Sequence, residues 1–369
     1  MMGSRRARWL VTALSVGAAG LVAAPAAATT RVVLPGRSIQ AALNASQPGD
    51  TVRLQRAVYR ESLQMSTDRV TLDGAGATLR PPAAKPPTLC NQGGSTMVGV
   101  CVVGQVTFAG NGPPTVVRRV RRVRITRVRV RGFSGDGIFA LGAARFRLDH
   151  SRLTANGGYG VFSLNARGVT YADDYSAANG DAGFYVGESE PAGVRITRNT
   201  SIGNAAEGIL LRSAAGGTVT RNRLAGNCIG LLVLAGAPGR AGGFIISRNR
   251  VTANNRFCAG DPDERIPPTS GLGIGLAGPT ATVVSDNAVS GNRPSARCHG
   301  RCPAPGGISV FTLVPRFGPA NDLIARNVVL GNRPFDLRWD RSGRRVRFAG
   351  NICRTSRPRG LCPRPRFTG

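Results

Sequence analysis

The feature that most constrains this chain is a repeat of about 24 residues punctuated by asparagine and glycine. Val123-Arg124-Ile125-Thr126-Arg127 recurs intact as Val194-Arg195-Ile196-Thr197-Arg198. Between and beyond these lie Leu148-Asp149-His150-Ser151, Tyr171-Ala172-Asp173-Asp174, Val219-Thr220-Arg221-Asn222, Ile246-Ser247-Arg248-Asn249, Val284-Ser285-Asp286-Asn287 and Ile324-Ala325-Arg326-Asn327. Five residues after each unit's last member comes another asparagine, from Asn156 to Asn332. A glycine and an apolar pair follow, as in Gly160-Val161, Gly208-Ile209 and Gly307-Ile308.

Asparagine and glycine tolerate the left-handed backbone that tight bends demand. Each unit therefore reads as short strands with one apolar face, separated by bends. A unit this small cannot bury its own apolar face, but stacked units can. The expected fold is all-β, a solenoid of parallel strands, with like residues above one another about 4.8 Å apart. Asn199, Asn222, Asn249, Asn287 and Asn327 should then form a ladder of amides. The arginine-rich stretch RRVRRVRITRVRVRG, residues 118–132, becomes one rung of this stack: Val123 and Ile125 point inward, Arg124 and Arg127 outward.

This pattern resembles the right-handed parallel β-helix repeat family of the pectin-lyase-like superfamily, over residues 31–353. The N-terminal part is similar as well. Ser38 N-caps a short amphipathic helix, and Val58-Tyr59-Arg60-Glu61 resembles the family's Gly-x-Tyr-x-Glu turn, with Ala57 in place of glycine. The resemblance implies that this helix caps the open end of the solenoid. It leaves function open, since the family includes lyases, hydrolases, epimerases, adhesins and proteins without chemistry.

Residues 1–28 read as a secretory signal peptide, with Arg5, Arg6 and Arg8 ahead of an apolar run and small residues at the cleavage point. No later stretch is apolar enough to span a bilayer, so the expected product is a secreted monomer. Residues 354–369 read as a loose Arg/Pro-rich tail. Export makes disulfides the first reading of the eight cysteines. Sequence-local pairs Cys90–Cys101, Cys298–Cys302 and Cys353–Cys362 would leave Cys228–Cys258. A zinc site at Cys298, His299 and Cys302 is the alternative, without an evident fourth ligand.

The formal charge is +30, and all but one of the 49 basic residues are arginine. Such a surface attracts anionic partners, acidic polysaccharide or a cell-envelope polymer first. Specific nucleic-acid binding is disfavoured, because the basic residues are spread out and aromatics make up only 5% of the chain. Residues 136–190 depart from this background: seven acids, four bases, four of the five tyrosines and His150.

In the repeat line-up His150, Asp173 and Arg198 fall in one outward column. A base, a carboxylate and a cation in one row can shift each other's pKa and carry acid–base chemistry. The candidate catalytic set is therefore His150, Asp173 and Arg198, with Arg195 as a second holder of a substrate carboxylate. Tyr171 and Tyr185 would position sugar rings, and Asp174 and Glu188 complete the candidate binding set. The competing structural reading pairs Asp173 with Arg198 and makes Asp174 the start of the asparagine ladder. Asp173-Asp174 resembles the paired aspartates of β-helix galacturonidases, but the Gly-His-Gly and Arg-Ile-Lys motifs of those hydrolases are missing. So is a triple-Asp calcium site of the lyase type. No cofactor is evident, and Ca2+ is the one ion the resemblance brings into question. The expected function is binding of an acidic polysaccharide, with cleavage or epimerisation in an enzymatic version. The alternative is a non-catalytic adhesion or envelope-binding solenoid.

Overall fold

The computed structural model describes residues 27–91, 95–107, 114–236, 238–260 and 267–362; the proposed signal segment lies largely outside them. The chain winds as a right-handed parallel β-helix. Each turn of the solenoid lays down one strand on each of three faces, here called A, B and C. The rung Arg147–Asp149, Arg152–Thr154 and Val161–Leu164 is typical. Each strand pairs in parallel with its counterpart one turn away: Leu148 with Tyr171, Leu153 with Ser176, Val161 with Phe184.

Alternation along these strands builds the core. On face A, Leu72, Ile125, Leu148, Tyr171, Ile196, Val219 and Ile246 stack in register and are fully buried. On face C the inward column runs Val100, Ile138, Val161, Phe184, Ile209, Leu231, Ile274, Ile308 and Leu337. In the arginine-rich rung Val123, Ile125, Val128 and Val130 are buried, while Arg124, Arg127, Arg129 and Arg131 face solvent. Arg127 is further occupied by an ion pair with Asp73.

Two ladders, not one, close the bends. At the A-to-B bend each ladder residue follows one held in the left-handed region, as at Arg198 (φ 57°) and Arg221 (φ 59°). There the Asn222 Oδ1 accepts from the backbone N–H of Asn199 at 2.9 Å and from its Nδ2 at 3.1 Å, and the pattern repeats through Asn249, Asn287, Asn327 and Asn351. Asp174 occupies this ladder, accepting from the Ser151 N–H at 2.8 Å. The second ladder runs from Asn156 through Asn179, Asn204, Asn227, Asn254 and Asn292 to Asn332 at the entry to face C. It explains the repeat glycines. A Cβ on Gly208 would lie 2.5 Å from the Gly230 carbonyl and 3.0 Å from the ladder amide of Asn227.

The N-terminal end is closed by the helix Ile39–Asn44, whose N-cap Ser38 accepts from the Ala41 N–H. Glu61 completes the cap by accepting from the backbone N–H groups of Ile39 and Gln40. Tyr59, two residues earlier, donates to the carbonyls of Val33 and Gln55. Four disulfides, Cys90–Cys101, Cys228–Cys258, Cys298–Cys302 and Cys353–Cys362, follow the sequence-local pairing. All eight cysteines are thus in disulfides, and among the described residues no group of three His, Cys, Asp or Glu is gathered to hold a metal. Strand pairing continues past residue 353, where Ser356–Arg357 pairs with Leu337–Trp339. No described helix is long and apolar enough to cross a membrane.

Candidate functional site

His150, Asp173 and Arg198 do form one column, at the A-to-B bend, each in the left-handed conformation (φ 53°, 61° and 57°). The chemistry of the column is that of an ion pair. Arg198 grips Asp173 with two bonds, Nε to Oδ1 at 2.6 Å and Nη2 to Oδ2 at 2.7 Å. That pair holds the Asp173 carboxyl below its ordinary value, which makes it a poor proton donor. His150 is exposed, with Nδ1 3.5 Å from Asp149 Oδ1. Burial would raise the Asp149 carboxyl, but hydrogen bonds from Arg124, Thr126 and Arg147 outweigh it and bring it down to about 2. His150 lines an open depression of about 420 Å³ with Thr51, Thr71, Asp73, Arg124, Thr126 and Arg127. Neither Asp173 nor Arg198 lines it.

The remaining sequence candidates are split between faces. Tyr171 cannot position a sugar ring: it occupies the inward column of face A, is fully buried and hydrogen-bonds Ser163 at 2.5 Å. Asp174 is a buried ladder residue rather than a binding residue, and burial raises its carboxyl well above its ordinary value. Arg195 is exposed on face A beside Thr170 and Thr218. Tyr185 and Glu188 lie on face C, where Tyr185 is 4% exposed and therefore no open platform.

Face C gathers the chemistry that the repeat line-up on face A missed. The residue just before each repeat glycine enters this face in register: Asp136, Tyr159, Ala182 and Glu207 precede Gly137, Gly160, Gly183 and Gly208. Asp181 sits beside Ala182 and bonds its N–H at 2.8 Å. The Tyr159 phenol and the Asp181 carboxyl act on each other, the phenol lowering the carboxyl and the carboxyl raising the phenol. Asp136 Oδ1 accepts from the Tyr159 backbone N–H at 2.9 Å. Three carboxyls and a phenol thus occupy successive rungs.

Their environment raises each of these groups above its ordinary value. Burial pushes the Glu207 carboxyl up to about 7, and the Asp181 charge adds to the shift. Burial likewise pushes Asp136 up to about 7 against the Tyr159 hydrogen bond, with Asp181 again adding. Asp181 itself is raised by burial. Burial, then the charges of Asp181, Tyr185 and Glu207, drive the Tyr159 phenol far above its ordinary value.

An aromatic cluster adjoins the acids. The rings of Phe139 and Phe162 stack at 4.9 Å, Tyr159 lies 4.8 Å from Phe162 and 5.1 Å from Tyr185, and Phe162 meets Tyr185 edge-on at 4.6 Å. Gly187 is required here, because a Cβ would lie 2.3 Å from the Tyr185 ring. In register with Gly187 on the next rung stands Arg212, whose charge offsets part of the burial that pushes Tyr185 up to about 12. Three carboxyls, a phenol and a guanidinium within neighbouring rungs form a constellation that can carry acid–base chemistry.

Residues 91–251 match the family model described as right handed beta helix region. The chain has the right-handed parallel β-helix fold. No curated protein matches it in sequence. Among solved structures it is similar to the mannuronan C-5 epimerase AlgE4 A-module of Azotobacter vinelandii, at 14% identity and a TM-score of 0.52, covering 88% of this chain and 84% of that one. A structure of the periplasmic alginate epimerase AlgG gives 14% identity and a TM-score of 0.51 over 82% and 70% of the two chains. The DFA-IIIase of Arthrobacter chlorophenolicus A6, without its lid, gives 12% identity and a TM-score of 0.51 over 82% and 84%. At these identities the likeness is one of fold.

Proposed function

We propose that this protein is exported, binds an acidic polysaccharide along face C, and acts on it by acid–base chemistry at Asp136, Tyr159, Asp181 and Glu207. The observation that carries the reading is the cluster itself: carboxyls pushed up to about 7 beside an aromatic group, in a chain of charge +30. A carboxyl that still holds a proton near neutrality can donate it to a departing glycosidic oxygen. Glu207 fills that role, Asp181 is the partner base, and Tyr159 favours the charged form of Asp181. Arg212 meets a substrate carboxylate. The similar structures named for mannuronan and alginate epimerases support a uronate chain as substrate. The four disulfides support an oxidising, extracytoplasmic setting.

A second reading, a non-catalytic envelope-binding solenoid, draws on the surplus arginine outside the cluster. One experiment separates the two. The protein is incubated with acidic and neutral polysaccharides, and new reducing ends, the ultraviolet absorbance of unsaturated uronates and C-5 inversion by proton NMR are followed. Glu207→Gln should abolish product, while Asp173→Asn on face A should leave it at the parental level. Product lost in Asp173→Asn and kept in Glu207→Gln would return the chemistry to the column at the A-to-B bend. No product from the parent on any substrate would favour the binding reading.

A further inference from the structure

The last rungs of face C carry a second, separate constellation. A cavity of about 700 Å³ is lined by Arg338, Arg341, Arg357 and Arg359 together with Trp339, Asp340 and Pro358. Arg338 and Arg357 are direct partners on adjacent parallel strands, so two guanidiniums leave the backbone roughly 5 Å apart. Burial, and then the Arg357 charge, press Arg338 below its ordinary value. The one lining acid is already engaged: Asp340 accepts from the Thr312 N–H at 2.9 Å and from the Ser342 N–H at 2.8 Å. Among the described residues none of the four arginines makes an ion pair.

Arg338 is half-buried and Arg357 exposed, and the Asp340 charge offsets only part of what lowers Arg338, so a further counter-charge is favoured here. The volume lies within the range of small-molecule sites and far exceeds that of one inorganic anion. Trp339 adds an aromatic surface of the kind on which sugar rings pack. Arg338 also continues the outward column of face C that contains Tyr185, five rungs or roughly 24 Å away. We propose that this cavity is a binding site for an anionic oligosaccharide, with Arg338 and Arg357 pairing its carboxylates and Trp339 packing on a ring. The proposal concerns binding alone and stands whether or not the acidic cluster is catalytic.

The chain has two tryptophans, Trp9 and Trp339. In the full chain carrying Trp9→Phe, tryptophan fluorescence therefore reports this cavity. It is titrated with trigalacturonate, with neutral maltotriose and with sodium sulfate. Trigalacturonate should give a saturable change that weakens as salt rises, at least tenfold weaker in Arg338→Met/Arg357→Met. Maltotriose and sulfate should give none at equal concentration. Affinity unchanged in the double variant, an equal response to maltotriose, saturation by sulfate alone, or no saturable response to trigalacturonate would each overturn the proposal. Thermal unfolding by circular dichroism checks that the double variant folds; if it does not, Arg341→Gln/Arg359→Gln replaces it, with at least a threefold loss expected. Glu207→Gln should leave this binding intact while product formation is lost, which keeps the two readings apart.

Discussion

Removing one ladder amide tests whether the buried asparagines, rather than the apolar columns alone, hold the rungs in register. Asn222→Ala deletes four side-chain bonds. The Asn222 Nδ2 donates to the Ile196 carbonyl at 3.0 Å and to Asn249 Oδ1 at 2.9 Å, and its Oδ1 accepts from the N–H and Nδ2 of Asn199. Of the four partners, the two side-chain groups keep another bond, since Asn249 Oδ1 still accepts from the Asn222 N–H and Asn199 Nδ2 still reaches the Tyr171 carbonyl. The Asn199 N–H loses its partner inside a dry bend, while the Ile196 carbonyl stays in the parallel ladder with the next strand. The orphaned donor costs about 1–3 kcal/mol, and the variant should be destabilised by that amount. Arg221→Ala, one residue away but outward, is the control and should change stability by no more than about 0.5 kcal/mol. Guanidinium unfolding followed by circular dichroism reads both. If Asn222→Ala costs no more than Arg221→Ala, the ladder is a by-product of the bend, not its support.

Three further outcomes are expected. Asp136 has a folded pKa raised to about 7, so its contribution to stability is fully present below its unfolded value near 4 and is lost as pH rises through 7; Asp136→Asn should flatten the melting temperature between pH 4 and 8, measured by calorimetry. Tyr171→Phe should cost about 1–3 kcal/mol, because Ser163 loses a buried partner, and should leave saccharide binding unchanged. Replacing both Cys228 and Cys258 by serine releases a 30-residue connection and should cost about 3.5 kcal/mol in denaturant titration.

The solenoid was legible because its rule is local: an asparagine and a glycine at fixed offsets require a bend whatever lies elsewhere. The left-handed column of His150, Asp173 and Arg198 was legible for the same reason, since it sits one residue before the ladder. Tyr171 was misread as outward because tyrosine is amphipathic; its register with Leu148 and Ile196, both inward, carried the right answer. The cluster on face C was in the same acid-rich segment but was passed over. Its signal was the residue before each repeat glycine, Asp136, Tyr159 and Glu207, and that signal needs the face C register to become a column. The second ladder was visible as the later asparagines, whose amides could be assigned partners only once that register was known. Which carboxyls hold protons depends on burial by neighbouring rungs, a long-range property that spacing does not encode.

The final rung has one more consequence. A parallel solenoid ends in a strand with a free edge, an invitation for another molecule to add on and lengthen the stack. At the N-terminal end a helix blocks this. At the last described rungs the Cys353–Cys362 disulfide closes a short segment, and Leu361 and Cys362 pack against the core. A staple there covers core side chains that a further rung would otherwise have to bury.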